Sequence, residues 1–165
     1  MRRTKRKLRA AVIAAASAAL LAGTAALAPG AAAVTPMRAT ARYDCGTMGS
    51  TTAEFTAAQN GTEATITVEL PSITAPVTIP PYTITTTLVL YDTTTGEPTT
   101  FTGTLSNPPL PMGNPLNSGA LKGTVEPGDI LDTVGGVNAL RFVMLGITFD
   151  CRAATPLSPG PFAFV

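Results

Sequence analysis

The clearest structural signal in the sequence is the stretch Ala-Thr-Ile-Thr-Val-Glu-Leu at 64–70, where even positions are apolar and odd positions are polar. Successive side chains of a β-strand point to opposite faces, so this period of two predicts a strand with one face in a core and the other in solvent. The stretch 50–58 comes before it, and Asn60 and Gly61 lie between the two, which is typical of a tight hairpin turn. The two stretches are therefore predicted to form a β-hairpin.

Comparable patterns continue on both sides of this hairpin, and no sustained helical period follows residue 33. Prolines between 71 and 81 limit the stretch 73–79 to an edge strand or an extended connection. The stretch 140–149 is apolar on both faces, which favours one central strand with Gly146 as a possible bulge. Further strands are predicted at 40–45, 82–91, 99–105 and 119–125.

About seven short strands separated by Pro- and Gly-rich turns are typical of two packed antiparallel sheets. We therefore expect an all-β, immunoglobulin-like two-sheet sandwich with Greek-key connections. The sequence contains no Trp, so the Cys–Trp–Cys core of antibody domains is not expected.

The first 33 residues have the pattern of a signal peptide: a basic start, an apolar run at 10–27 and three alanines at 31–33. Secretion is therefore expected, by the general route rather than the twin-arginine route, because Arg2 and Arg3 are not followed by the rest of that motif. A retained membrane anchor is the alternative, but a run made mostly of alanine is only weakly hydrophobic. Behind the signal peptide 1–33 we expect an N-terminal segment at 34–39, the sandwich domain at 40–152 and a Pro-rich tail at 153–165.

Removal of the leader changes the charge of the protein. All ten acidic residues follow position 33 but only five of the eleven basic ones do, so the net charge of 34–165 is −5. Nucleic acids and anionic membranes require a basic surface, so neither is an expected partner. The expected partner is an extracellular protein or an envelope polysaccharide.

The two cysteines, Cys45 and Cys151, lie 106 positions apart near the two ends of this region. In an oxidising compartment two thiols in one small domain usually pair, which predicts a disulfide that ties the first strand to the last. A redox pair is the alternative, but neither a Cys-x-x-Cys spacing nor a flanking Lys or His is present to lower a thiol pKa.

The chain contains no histidine, which excludes Ser-His-Asp and Cys-His catalysis and ordinary zinc sites. We expect no enzyme activity and no cofactor. Hydrolysis by a pair of carboxylates is the enzymatic alternative that remains, and the clustered candidates for it are Glu126, Asp129 and Asp132. The same three residues form a weak candidate calcium site, while the preferred interpretation is a Pro-Gly turn with solvated acids.

The candidate recognition surface is the loop 107–117, which is rich in proline and carries Leu110, Met112 and Leu116. A rigid exposed loop loses little entropy when it binds a partner. The alternative, which we favour, is that the loop folds back over the core as a lid.

Several short motifs resemble those of small secreted β-sandwich, immunoglobulin-like proteins of high-GC Gram-positive bacteria. Besides the alanine-rich leader they are Tyr-x-Cys at 43–45, Leu-Pro at 70–71, Pro-Tyr-Thr-Ile-Thr at 81–85, Ser-Gly-Ala-Leu at 118–121 and Phe-x-Cys at 149–151. The resemblance implies the fold and the compartment, and it supplies no catalytic residue.

The sequence thus favours a non-enzymatic extracellular or cell-envelope binding domain. One alternative is a secreted protease inhibitor that presents the loop 107–117, although no cysteine lies between 45 and 151 to brace that loop. A carboxylate-dependent hydrolase is the other.

Overall fold

A computed structural model of the protein describes residues 34–133 and 139–165. The predicted signal peptide lies outside the described residues. A 3-10 turn, Gly46–Met48, follows the first strand. The strands are β1 Arg38–Asp44, β2 Ser50–Asn60, β3 Glu63–Thr74, β4 Ile84–Asp92, β5 Pro98–Gly103, β6 Pro115–Thr124, β7 Ile130–Asp132, β8 Leu140–Met144, β9 Ile147–Ala153 and β10 Phe162–Ala163.

Eight of these strands form a closed antiparallel barrel in the order β4-β5-β6-β3-β2-β1-β9-β8. The ring closes where β8 pairs with β4, from Ile84 opposite Met144 to Leu88 opposite Leu140. Two short strands extend the sheet: β7 pairs with the C-terminal end of β4, and β10 pairs with β7. The expectation of an immunoglobulin-like two-sheet sandwich is therefore wrong, whereas the all-β class is confirmed.

The physical reason for this error is that a sandwich and a barrel require the same alternation of inward and outward side chains along each strand. β2 illustrates this, since its burial alternates without interruption along all 11 residues. What separates the two architectures is one pairing between distant strands, β4 with β8. Closure is assisted by β3, whose register with β6 shifts between Thr67 and Glu69 and again between Leu70 and Thr74, because such irregularities bend a strand.

The stretch 140–149 is a hairpin, so the prediction of one central strand is wrong. β8 and β9 pair from Met144 opposite Ile147 to Leu140 opposite Cys151. Leu145 and Gly146 form the turn with φ of 54° and 77°, the positive values that a tight two-residue hairpin turn requires. A leucine at such a position is uncommon, which is why the sequence suggested continuity.

The predicted hairpin at 50–70 is confirmed: β2 and β3 pair up to Asn60 opposite Glu63. Gly61 adopts a positive φ of 61° in the turn between them. The disulfide between Cys45 and Cys151 is also confirmed, and it joins the end of β1 to β9.

The two ends of the barrel differ in how they are closed. One end is packed by the two termini of the described region: Val34, Phe162 and Phe164 are buried, and Gln59 donates a hydrogen bond of 2.7 Å to the carbonyl oxygen of Val165. We call the opposite end the mouth end. Its four loops, counted together with the strand ends that adjoin them, are 45–49, 71–83, 104–114 and 145–148. In the described part of the chain no helix is long and apolar enough to cross a membrane.

Candidate functional site

The loop 107–117 lies across the mouth end and splits the three apolar residues that the sequence singled out. Leu110 and Leu116 are buried in the core, whereas Met112 is 69% exposed at the tip. Leu110 exchanges two backbone hydrogen bonds with Ile79, of 2.8 and 3.0 Å. Segments 75–83 and 107–114 therefore run together as one lid over the barrel, and Met112 alone of the three candidates is accessible to a partner.

Asn107, which the sequence analysis did not single out, fixes the base of this lid. Its Oδ1 accepts hydrogen bonds from the backbone N–H groups of Thr83 and Ile84, both at 2.7 Å, and its Nδ2 donates to the carbonyl oxygen of Pro80 at 2.9 Å. The residue is fully buried. The side-chain amide of Asn107 thus holds segment 75–83 and the start of β4, because it accepts hydrogen bonds from backbone N–H groups and donates one to a backbone carbonyl oxygen.

The structure separates the three candidate calcium or acid-base residues: Glu126 and Asp129 lie at the opposite end, whereas Asp132 is buried in β7. Asp129 accepts a hydrogen bond from the backbone N–H of Glu126 at 2.8 Å, which closes the predicted Pro-Gly turn. Asp132 is buried, and its Oδ1 accepts bonds from the N–H groups of Thr133 and Leu157 at 2.6 and 2.8 Å. Among the described residues, no group of three or more His, Cys, Asp or Glu side chains is placed to hold a metal ion.

Asp92 lies at the same end, at the start of the loop between β4 and β5. Its carboxylate accepts hydrogen bonds from the backbone N–H groups of Ile130, Thr95 and Thr94 at 3.0, 2.7 and 2.8 Å. Hydrogen bonds to the charged form stabilise it, so they lower the pKa of Asp92 from its ordinary value of 3.8 to about 2. The carboxylate therefore serves the turn and the start of β7.

This pKa predicts a pH dependence of stability. A carboxylate with a lowered folded-state pKa contributes stability above its unfolded-state pKa and loses it as the pH falls through the folded-state value. The melting temperature of the native protein should therefore exceed that of Asp92→Asn above about pH 4, and the difference should shrink as the pH falls toward about 2. Thermal unfolding followed by circular dichroism across this range measures it. A difference that stays constant at every pH would show that the charge of Asp92 is unimportant.

The mouth end is poor in charge and rich in exposed apolar side chains. Asp44 borders its loops at the end of β1, and the carboxylate of this residue accepts a hydrogen bond of 3.0 Å from the backbone N–H of Gly46. The four loops of the mouth end contain no Asp, Glu, Lys or Arg. They also hold six of the eight large apolar side chains that the described residues expose: Val77, Tyr82, Leu105, Met112, Leu145 and Ile147, between 49% and 70% exposed. Scattered single apolar residues are ordinary on a protein surface, whereas a concentration of them at one end is a candidate interaction surface.

A pocket of about 410 Å³ opens at this end, and we call it the mouth pocket. Met48, Ile73, Met144 and Phe149 line it, and these four are half-buried residues packed against the core. Ile79 and Leu116 form buried parts of the wall, while Ser72 and Thr74 supply the polar side chains of the lining. The pocket is thus an apolar concavity that the chain itself leaves incompletely filled.

The disulfide stabilises two walls of the mouth pocket. Cys45 immediately precedes the turn that carries Met48, and Cys151 follows Phe149 by two residues. β9 pairs with β1 through Ala153 and Arg152, so the part of β9 from Ile147 to Asp150 extends beyond that pairing. The bond therefore anchors the hairpin β8–β9 where strand pairing to β1 has ended.

Sequence reasoning missed this pocket because its lining comes from separate parts of the chain: the turn that carries Met48, the segment 72–79, and residues of β6, β8 and β9. One available signal was the absence of charge in 45–49, 71–83, 104–114 and 145–148. That signal becomes informative once the topology shows that these segments meet at one end.

Comparisons with known proteins do not add to this picture: no family model, no curated protein and no solved structure matches the chain. The resemblance to small secreted proteins of high-GC Gram-positive bacteria therefore stays a prediction. Inferences about function rest on the geometry of the barrel.

Proposed function

We propose that the protein is a secreted, non-enzymatic binding domain whose barrel is a rigid support and whose mouth end is the contact surface. The observation that carries the proposal is the concentration of exposed apolar residues at one end, whose loops contain no charged residue. Burial of apolar area on a partner supplies the driving force, at roughly 25 cal/mol per Å² before the costs of association.

The distribution of charge supports the same end as the binding surface. The loops of the opposite end and the strand ends beside them are acidic, with Glu63, Asp92, Glu97, Glu126 and Asp129. Such a surface keeps an extracellular protein soluble and repels other acidic surfaces. An apolar contact surface at one end and an acidic, solvated surface at the other suit a domain that binds through its mouth end alone.

Of the alternatives, a protease inhibitor has one supporting observation, the exposure of Met112 at the tip of the lid. Met112 and Gly113 form a turn there, and Gly113 has a positive φ of 86°. A substrate-like inhibitory loop is extended, so this geometry favours the binding domain. The hydrolase has less support, because Asp129 and Asp132 are engaged by backbone N–H groups.

The test is co-sedimentation of the purified protein with insoluble cell-envelope preparations at low and physiological salt. We expect retention that survives salt, because the four loops of the contact surface contain no charged residue and apolar contacts are not screened by salt. The double variant Met112→Ser, Leu145→Ser should lose most of this retention.

Met37→Ser is the matched control, because Met37 is 65% exposed and lies at the other end. This variant should be retained like the native protein. Equal retention of the mouth variant and the native protein would refute the proposed function. Stoichiometric inhibition of a subtilisin-type protease that Met112→Gly abolishes would favour the inhibitor instead.

A further inference from the structure

The mouth pocket, in addition to the apolar surface around it, has the properties of a small-molecule site. Its volume of about 410 Å³ lies within the range of about 300–1,000 Å³ that is typical of ligand pockets. Four of its lining residues are apolar side chains that remain half-buried although they pack against the core: Met48, Ile73, Met144 and Phe149. An apolar occupant would complete their burial.

The chemistry of the lining specifies the kind of occupant. No charged residue lines the pocket, so an ionic group inside it would lose its hydration without gaining a partner. The loops around it hold no cation to receive a carboxylate or phosphate, and the region 34–165 has a net charge of −5, which repels anions. The hydroxyls of Ser72 and Thr74, both exposed residues at the edge, suit a neutral polar group such as an ester or an alcohol.

The shape of the wall fits a flexible chain. Met48 and Met144 come from separate elements of the mouth end, and methionine side chains adapt to irregular apolar surfaces. The opening lies beside the hairpin β8–β9, whose tip extends beyond the pairing with β1. A narrow apolar chain can therefore enter from solvent while its polar end stays at the rim.

We propose that the mouth pocket binds one alkyl or acyl chain of a neutral amphiphile, with the polar end of that molecule at Ser72 and Thr74. This inference rests on the proposed function and deepens it, because it names the chemical class that the mouth end takes. The ligand in this proposal is a single molecule held in the pocket, and not a lipid bilayer that contacts the rim.

The test is a fluorescence titration of the full chain, expressed and purified, with the neutral apolar dye N-phenyl-1-naphthylamine. The dye should bind one to one. The uncharged 1-monolauroylglycerol, kept below its aggregation concentration, should displace it at about a tenfold lower concentration than dodecanoate at neutral pH, which corresponds to roughly 1.4 kcal/mol.

Two variants separate the pocket from the surrounding surface. Ile73→Asp places a charge in the lining and should weaken dye binding at least about tenfold. Leu105→Asp changes an exposed residue of the same end outside the lining, at a φ of 50° that Asp tolerates better than Leu, and should bind the dye like the native protein. Met144→Asp serves as a second pocket variant if Ile73→Asp has lost its cooperative thermal unfolding.

Each outcome decides between the two proposals. The pocket assignment would be overturned if the dye did not bind saturably, or if Ile73→Asp and Leu105→Asp weakened dye binding equally. If envelope retention then still depended on Met112 and Leu145, the proposed function would stand without it. The inference would also be overturned if the protein sedimented with phosphatidylcholine vesicles while the monomeric glyceride failed to displace the dye. That result would identify a bilayer as the ligand.

Discussion

Replacement of both Cys45 and Cys151 by alanine is expected to lower the free energy of unfolding by about 4 kcal/mol. The bond closes a loop of 106 residues, and for a loop of about 100 residues the chain-entropy model gives about 4.7 kcal/mol, with losses of about 2–5 kcal/mol on removal of native disulfides. Small domains have about 5–15 kcal/mol of stability in total. The double variant should therefore unfold at a much lower guanidinium concentration than the native protein.

Guanidinium unfolding followed by circular dichroism measures this change, with the native protein unfolded in reductant as the control that should match the variant. The variant should also bind the apolar dye more weakly, because Met48 and Phe149 lie on chain segments that the bond anchors. A loss of less than about 1 kcal/mol would contradict this account, because it would show that the bond hardly restricts the unfolded chain.

Asn107→Ala is expected to lower the free energy of unfolding by about 3–5 kcal/mol. The N–H groups of Thr83 and Ile84 would lose their acceptor, and Ile84 is fully buried. Each buried donor left without a partner costs about 1–3 kcal/mol. The carbonyl oxygen of Pro80 would lose a donor as well.

Asn114→Ala is the matched control for this variant, because it removes the same side chain from an exposed position of the same lid. The backbone bonds of Asn114 to Ala75 and Pro111 would remain. Its effect should stay within about 0.5 kcal/mol, as is usual for surface substitutions. Equal effects of the two variants in urea unfolding would refute the role of Asn107 as the support of the lid.

The local structure of the barrel was largely predictable and its closure was not. The alternation at 64–70 and the Asn60-Gly61 turn act over a few residues, so they identify β2, β3 and their hairpin. The pairing of β4 with β8 joins Thr86 to Phe142 across 56 positions. No local pattern encodes such a pairing, because many edges can accept a strand of the same alternation.

In the candidate site, too, one feature was predictable from the sequence and another was not. The pairing of Cys45 with Cys151 was predictable because there was one possible partner for each thiol. Leu110 and Met112 lie two positions apart in a Pro-rich loop, yet one is buried and the other exposed. That difference arises from the pairing of Leu110 with Ile79, which depends on the path of a distant segment.

The most direct test of the mouth end as the binding surface is a titration of the isotopically labelled protein with 1-monolauroylglycerol, followed by amide ¹H–¹⁵N correlation spectra. We expect saturable shifts at Met48, Ile73, Met144 and Phe149, while Met37 and Val165 at the other end keep their positions. Shifts centred on the acidic end, or spread evenly over both ends, would contradict the assignment of binding to the mouth.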